Sequence, residues 1–175
     1  MAMLLDDRPE TEYLDGRRYP KVSPKRVHAC VQFALATAID RCARRRGLVG
    51  TEWRFRLGAV DGTNTSFVPD VAYVSYDRLR PLSDEEADEP PFAPDIAAEV
   101  RSPSQRLDLL ARKIARYLAT GATIVLDVDP MKRTITAQTV RERRTYEADA
   151  RFAHPALPWL DFEVAELFAD IEIPR

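Results

Sequence analysis

Residues 94–121 read PDIAAEVRSPSQRLDLLARKIARYLATG, and the order of residue types there decides the fold. The stretch divides into a strand, a polar break and an amphipathic helix. Ile96, Ala98 and Val100 share one face of a two-residue period, and Asp95, Ala97 and Glu99 share the other. The first face is apolar and requires a core. The second sets a carboxylate, Glu99, beside a small residue on a strand that reads as buried. Such a group requires a cation, a hydrogen-bond donor or water. Ser102-Pro103-Ser104 breaks the strand, with Ser104 placed to cap the helix and Gly121 placed to end it. Leu107, Leu110, Ala111, Ile114, Tyr117 and Leu118 recur at helical spacing and are predicted to form its buried stripe. Lys113 flanks that stripe, within reach of water or of the strand end that carries Glu99.

Downstream, residues 122–129 read as a strand closed by a Pro130-Met131-Lys132 turn. A strand–helix–strand crossover through 95–129 predicts one parallel pair in an otherwise antiparallel sheet. Residues 134–140 and 144–146 read as antiparallel strands. The tail from Pro155 is broken by prolines and ends in a short helix, 164–169, whose Leu167 and Phe168 cap the core. Upstream, a strand over 67–76 has Pro69-Asp70 at its entrance. A strand over 51–57 sets Trp53, Phe55 and Leu57 on one face, and residues 58–66 read as a polar loop. Residues 78–91, with the acids Asp84, Glu85, Glu86, Asp88 and Glu89, read as a mobile solvated loop. Ser23-Pro24 starts a helix carrying Val27, Val31, Leu35, Ala38 and Cys42 on one stripe, ended by Gly47. Before it, residues 12–19 read as a hairpin turning at Asp15-Gly16, and residues 1–11 read as loose. The expectation is one α/β or α+β domain over 12–175, with a mixed sheet flanked by helices.

The chain has 175 residues, enough for a substantial core, and a net charge of −2, which excludes a global basic field. Arg41, Arg44, Arg45 and Arg46 form a local basic run, which reads most simply as a solvated helix end. Cys30 and Cys42 lie on one predicted helix, too far apart to pair, and no zinc spacing occurs. No apolar run is long enough to span a bilayer, and the start lacks a signal peptide, so the expected location is cytoplasmic with no membrane partner.

Asp70, Glu99 and Lys113 have the composition of a metal-dependent phosphodiesterase site. Two carboxylates offer hard oxygens to Mg²⁺ or Mn²⁺, and an ammonium steadies the charge that develops in the reaction. Singly, each has a plainer reading. Asp70 is a turn acid, Glu99 an ion-pair partner of Arg101 or Lys113, and Lys113 a solvated helix lysine. His28 is a capping or packing histidine, and Tyr117 a core residue.

PDVAYV (69–74), the whole of 94–121 and VDP (128–130) resemble the Uma-type family of restriction endonucleases, within the PD-(D/E)xK nuclease superfamily. The resemblance runs from EYLDG (12–16) to VAELF (164–168). It implies a restriction-endonuclease-like fold, a Mg²⁺ or Mn²⁺ cofactor, DNA as substrate and a homodimer that cuts both strands. It implies that Asp70 and Glu99 hold the metal and that Lys113 completes the catalytic set. Arg101 stands where the superfamily often has its lysine. The resemblance also implies auxiliary places for Glu12, touching the metal through water, and for His28. Where the family has Trp before the aspartate-proline, this chain has Leu126 followed by Asp127. Two rival functions are an inactive nuclease-fold module for binding or assembly, and a nuclease acting on RNA.

Overall fold

The computed structural model describes residues 11–21, 25–60, 63–103 and 105–173. The loose segment expected over 1–11 lies outside them except for Thr11, which opens the first strand. Strands β1 (Thr11–Leu14) and β2 (Arg17–Pro20) form the expected hairpin. Asp15 and Gly16 both have positive φ, +50° and +73°, as a two-residue turn between right-twisted strands requires.

Helix α1 (Arg26–Ala43) follows. The proposed cap Ser23-Pro24 lies outside the described residues, and the capping position is Lys25. The helix ends at Ala43, not at Gly47, because Arg44 and Arg45 turn into the left-handed region. Gly47 instead opens β3 (Gly47–Thr51). A Cβ there would lie 2.2 Å from the Val74 carbonyl oxygen, so only glycine permits that strand approach. Gly47→Ala is expected to lower unfolding stability by roughly 1–3 kcal/mol through overpacking, measured by urea denaturation.

The continuous strand expected over 51–57 is divided. Glu52, at φ +54°, turns the chain before β4 (Phe55–Val60). In the polar stretch expected to loop over 58–66, residues 58–60 and 63–66 lie in strands. β4 completes a hairpin with β5 (Thr63–Phe67), its register shifted by a bulge at Gly58, φ +74°. β6 (Val71–Ser75) then leads into two short helices, α2 (Tyr76–Leu79) and α3 (Asp84–Asp88). The acidic run is therefore helical, not a mobile loop. Ser83 and Glu86 form a reciprocal capping box, and three acids in the first turn suit the positive end of the helix dipole.

β7 (Ile96–Val100), α4 (Leu107–Ala119) and β8 (Ile124–Asp129) make the expected crossover, and β7 and β8 pair in parallel. Ser104 lies outside the described residues and the N-cap position is Arg106, while Gly121 takes φ +103° just beyond the helix. β9 (Thr134–Gln138) and β10 (Arg143–Tyr146) continue the sheet antiparallel. The tail contains a hairpin that its prolines concealed, β11 (Arg151–His154) with β12 (Leu157–Glu163), before a 3₁₀ helix, Val164–Ile171. Leu167 and Phe168 are buried there, as expected.

The main sheet has order β10-β9-β8-β7-β6-β3, and β2-β1-β5-β4 form a second sheet. The main sheet is covered on both faces, which is why β7 and β8 are buried along their whole length. On one side Ile96, Ala98 and Val100 pack with α1, the β11–β12 hairpin and the 3₁₀ helix. On the other, Ala97 and Val125 pack with Leu110, Ile114 and Tyr117 of α4 and with Phe55 and Phe67 of the second sheet. Glu99, on the Ala97 side, therefore points into the seam between the main sheet, α4 and the β1–β2 hairpin.

Candidate active site

The antiparallel pairing of β6 with β7 puts Val71 opposite Ala98 and Ala72 opposite Ala97, and one step further sets Asp70 opposite Glu99. Directly opposed residues of an antiparallel pair project to the same side, so the two acids share one pocket. Each is 3% exposed. They line a cavity of about 280 Å³ together with Glu12, Lys21, His28 and Lys113.

Asp70 Oδ2 accepts the Val100 backbone N–H at 2.7 Å. Its Oδ1 stands 3.1 Å from Lys21 Nζ and 3.4 Å from His28 Nε2. Burial alone would raise the Asp70 pKa. The His28 hydrogen bond and the Lys21 charge override it and hold the carboxyl at about 2. The same contact raises the His28 pKa against the opposing effect of burial. Ser102 Oγ, 3.5 Å from His28 Nδ1, faces the other ring nitrogen.

Glu99 meets α4. Its Oε1 lies 2.8 Å from Lys113 Nζ and accepts the Tyr117 hydroxyl at 3.0 Å. Lys113 and Tyr117 are four residues apart and so lie one above the other on the helix. Burial is the main influence on Glu99 and pushes its pKa up to about 7, against the lowering charge of Lys113. Burial and the nearby carboxylates of Glu99 and Glu12 raise Tyr117 well above its usual range, so it serves as a neutral donor.

Lys113 is not the flanking lysine the helical pattern suggests. It is 5% exposed, whereas Leu107, expected in the stripe, is 59% exposed and Ala111 is exposed too. The helix is rotated so that Lys113 joins the buried face. Glu12 on β1 makes this possible, with Oε1 and Oε2 accepting from Lys113 at 2.7 and 2.9 Å. Glu12 Oε1 also accepts the Val68 N–H at 2.9 Å, so this acid spans β1, the end of β5 and α4. Burial opposes the charge on Lys113, but the two glutamates overcome it and raise its pKa.

Four residues escaped the sequence reading. Lys21 and Glu52 form a close ion pair beside Asp70. Gln32 Nε2 donates to Glu52 Oε1 and to the Asp70 carbonyl, both at 2.8 Å. Tyr117 was read as a core residue only. Tyr117 had a signal, its four-residue spacing from Lys113; the other three meet only through tertiary structure. Arg101, in the superfamily's lysine position, is committed elsewhere. Its Nε and Nη2 bond Asp127 at 2.7 and 2.6 Å, and its Nη1 bonds Asp129 at 3.1 Å. Asp127 lies beside Glu99 in the parallel register and is 3% exposed, so it is a buried acid neutralised by Arg101, not an edge charge. The chain's second Pro-Asp pair is structural as well. Asp95 accepts from the Ser75 N–H at 2.7 Å and from Arg78 at 3.0 Å, at the far end of β7.

The donor set suits a hard divalent cation. Four carboxylates, Glu12, Glu52, Asp70 and Glu99, stand against Lys21, Lys113 and His28. Among the described residues no three His, Cys, Asp or Glu side chains have the spacing of a complete metal cage. Two carboxylates completed by water are the kind of site Mg²⁺ occupies.

A mixed sheet covered by helices, with its acids meeting where two antiparallel strands end, places the chain in the restriction-endonuclease-like α+β class. It is similar to the crystal structure of a protein from Anabaena variabilis described as a putative nuclease belonging to DUF820, with a TM-score of 0.81 and 24% identity over 95% of this chain and 93% of that one. The family described as Uma2, "Putative restriction endonuclease", matches residues 2–165, and the chain belongs to that family. No curated protein matches the chain. Among the described residues no helix is long and apolar enough to cross a membrane.

Proposed function

We propose that this protein is an endonuclease that hydrolyses DNA phosphodiester bonds with Mg²⁺ or Mn²⁺, acting as a homodimer. The observation that carries this reading is the opposed pair Asp70 and Glu99, both buried on adjoining strands and lining one pocket. These two carboxylates are the ligands. When bound, the cation supplies Lewis acidity toward the scissile phosphate and toward a water molecule. Lys113 places a fixed positive charge beside Glu99, where negative charge accumulates during phosphoryl transfer. Glu12 holds Lys113, His28 steadies Asp70 and Tyr117 steadies Glu99. Glu12 thus acts through the lysine, with both its oxygens engaged there.

Supercoiled plasmid incubated with the protein is expected to be cut in Mn²⁺ or Mg²⁺ and left intact in EDTA. No cleavage together with no Mn²⁺ uptake by calorimetry would overturn this reading in favour of an inactive binding module. Faster cleavage of a matched RNA would move the substrate from DNA to RNA. Sedimentation reads the dimer directly.

The pKa values set a pH dependence. Asp70, at about 2, is ionised throughout the working range. Glu99 ionises near 4.5 when unfolded and about 7 when folded, so between those values the folded state keeps a proton that the unfolded state has lost. Glu99 therefore contributes a loss of stability as pH rises through that window in the metal-free protein. A cation must displace that proton. Mn²⁺ affinity is expected to rise by about tenfold per pH unit up to about 7 and to level off above it, measured by calorimetry from pH 5.5 to about 8.5.

A further inference from the structure

Lys21 has no part in that chemistry, yet it reaches Asp70, one of the two proposed ligands. It directly follows β2, and its Nζ stands 3.1 Å from Asp70 Oδ1 and forms a close ion pair with Glu52. Its side chain is 16% exposed, so it is held in the pocket and does not lie along the surface. The second acid of its cage is aimed by unusual backbone. Glu52 takes φ +54°, a region that a residue bearing a Cβ enters at a cost. Gln32 fixes the outcome by bonding the Glu52 carboxylate and the Asp70 carbonyl with one amide nitrogen. Two carboxylates from two separate bends thus converge, and an ammonium lies between them. A lysine ammonium and a divalent ion compete for the same oxygens, since each satisfies a buried carboxylate only by being close to it.

We propose that the Lys21 ammonium occupies the cation position of the metal-free protein, caged by Asp70 and Glu52, and that a divalent ion binds by expelling it. The proposal rests on the metal-dependent reading above. It accounts for how the buried Asp70 and its neighbour Glu52 are balanced before any metal arrives. Asp70 is too buried to stand without positive partners; His28 is one, and Lys21 provides one that can leave.

The test titrates MnCl₂ by calorimetry into metal-free wild-type protein and Lys21→Met. Lys21→Met is expected to bind Mn²⁺ roughly tenfold tighter or more. Binding by Lys21→Met with none by the wild type supports the same conclusion. Equal affinity in both proteins overturns the role of Lys21 while leaving the metal reading intact; absence of binding in both overturns the two together. A second measurement needs no variant. Wild-type lysines are acetylated with and without saturating Mn²⁺ and mapped by mass spectrometry. Lys21 is expected to react several-fold faster with Mn²⁺, while Lys113 stays protected in both. Unchanged or slower labelling of Lys21 overturns the proposal, and decides the matter if Lys21→Met does not fold.

Discussion

The Glu99→Gln variant is expected to fold as the wild type does and to cleave plasmid at least about a thousandfold more slowly in Mn²⁺. Two features separate the effects. Glutamine keeps the acceptor that Lys113 and Tyr117 use, and it has the volume of glutamate. Burial already favours the neutral form of Glu99, raising its pKa to about 7, so an uncharged side chain costs the metal-free fold little, about 1 kcal/mol or less. Lys113 retains both oxygens of Glu12. What is lost is the negative charge that binds the cation. Thermal melts in EDTA should nearly coincide with wild type, while Mn²⁺ calorimetry and cleavage collapse. Cleavage within about tenfold of wild type would remove Glu99 from the metal site.

Lys113→Met is expected to cost stability as well as activity. Methionine matches much of the lysine stem and packs acceptably beside Phe67 and Tyr117. It cannot balance Glu12 and Glu99, both largely buried. Removing one member of a buried ionic set typically costs about 3–5 kcal/mol, which for a chain of this length lowers the melting temperature by roughly 10 °C. Removing Glu12 in the same molecule, as Lys113→Met with Glu12→Gln, should recover part of that loss because one stranded charge is gone. A Lys113→Met protein that melts with wild type would show that the two glutamates find other partners.

The elements set by local pattern were readable in advance. The crossover through residues 94–129, the hairpin at Asp15-Gly16 and the meeting of Asp70 with Glu99 on adjoining strands all stand in the structure. The failures at Lys113 and Glu52 share a cause, since both depend on partners from other elements. The pattern for α4 assumed that apolar residues face inward, and so chose Leu107 over Lys113. The charge that makes Lys113 a buried residue is supplied by Glu12, on a different sheet. Glu52 reads only as part of a polar strand face that is wet or next to a polar site, because its particular importance lies in a backbone angle and in a glutamine on another element. The acidic run 84–88 is a different failure. Its Ser83-x-x-Glu86 signature was present, and the abundance of charge concealed it. The hairpin β4–β5 was hidden because β5 buries polar residues such as Thr65 and Ser66, and β11–β12 by its prolines.

The Glu12–Lys113 bond joins positions 101 residues apart. On a ribosome the amino-terminal hairpin emerges long before α4 does, and until α4 arrives Glu12 has no lysine and Glu99 no ammonium. An incomplete nascent chain therefore cannot assemble the centre, and neither can a copy truncated before residue 113. For an enzyme proposed to cut DNA, the host genome meets the hydrolytic apparatus only after translation has passed residue 113.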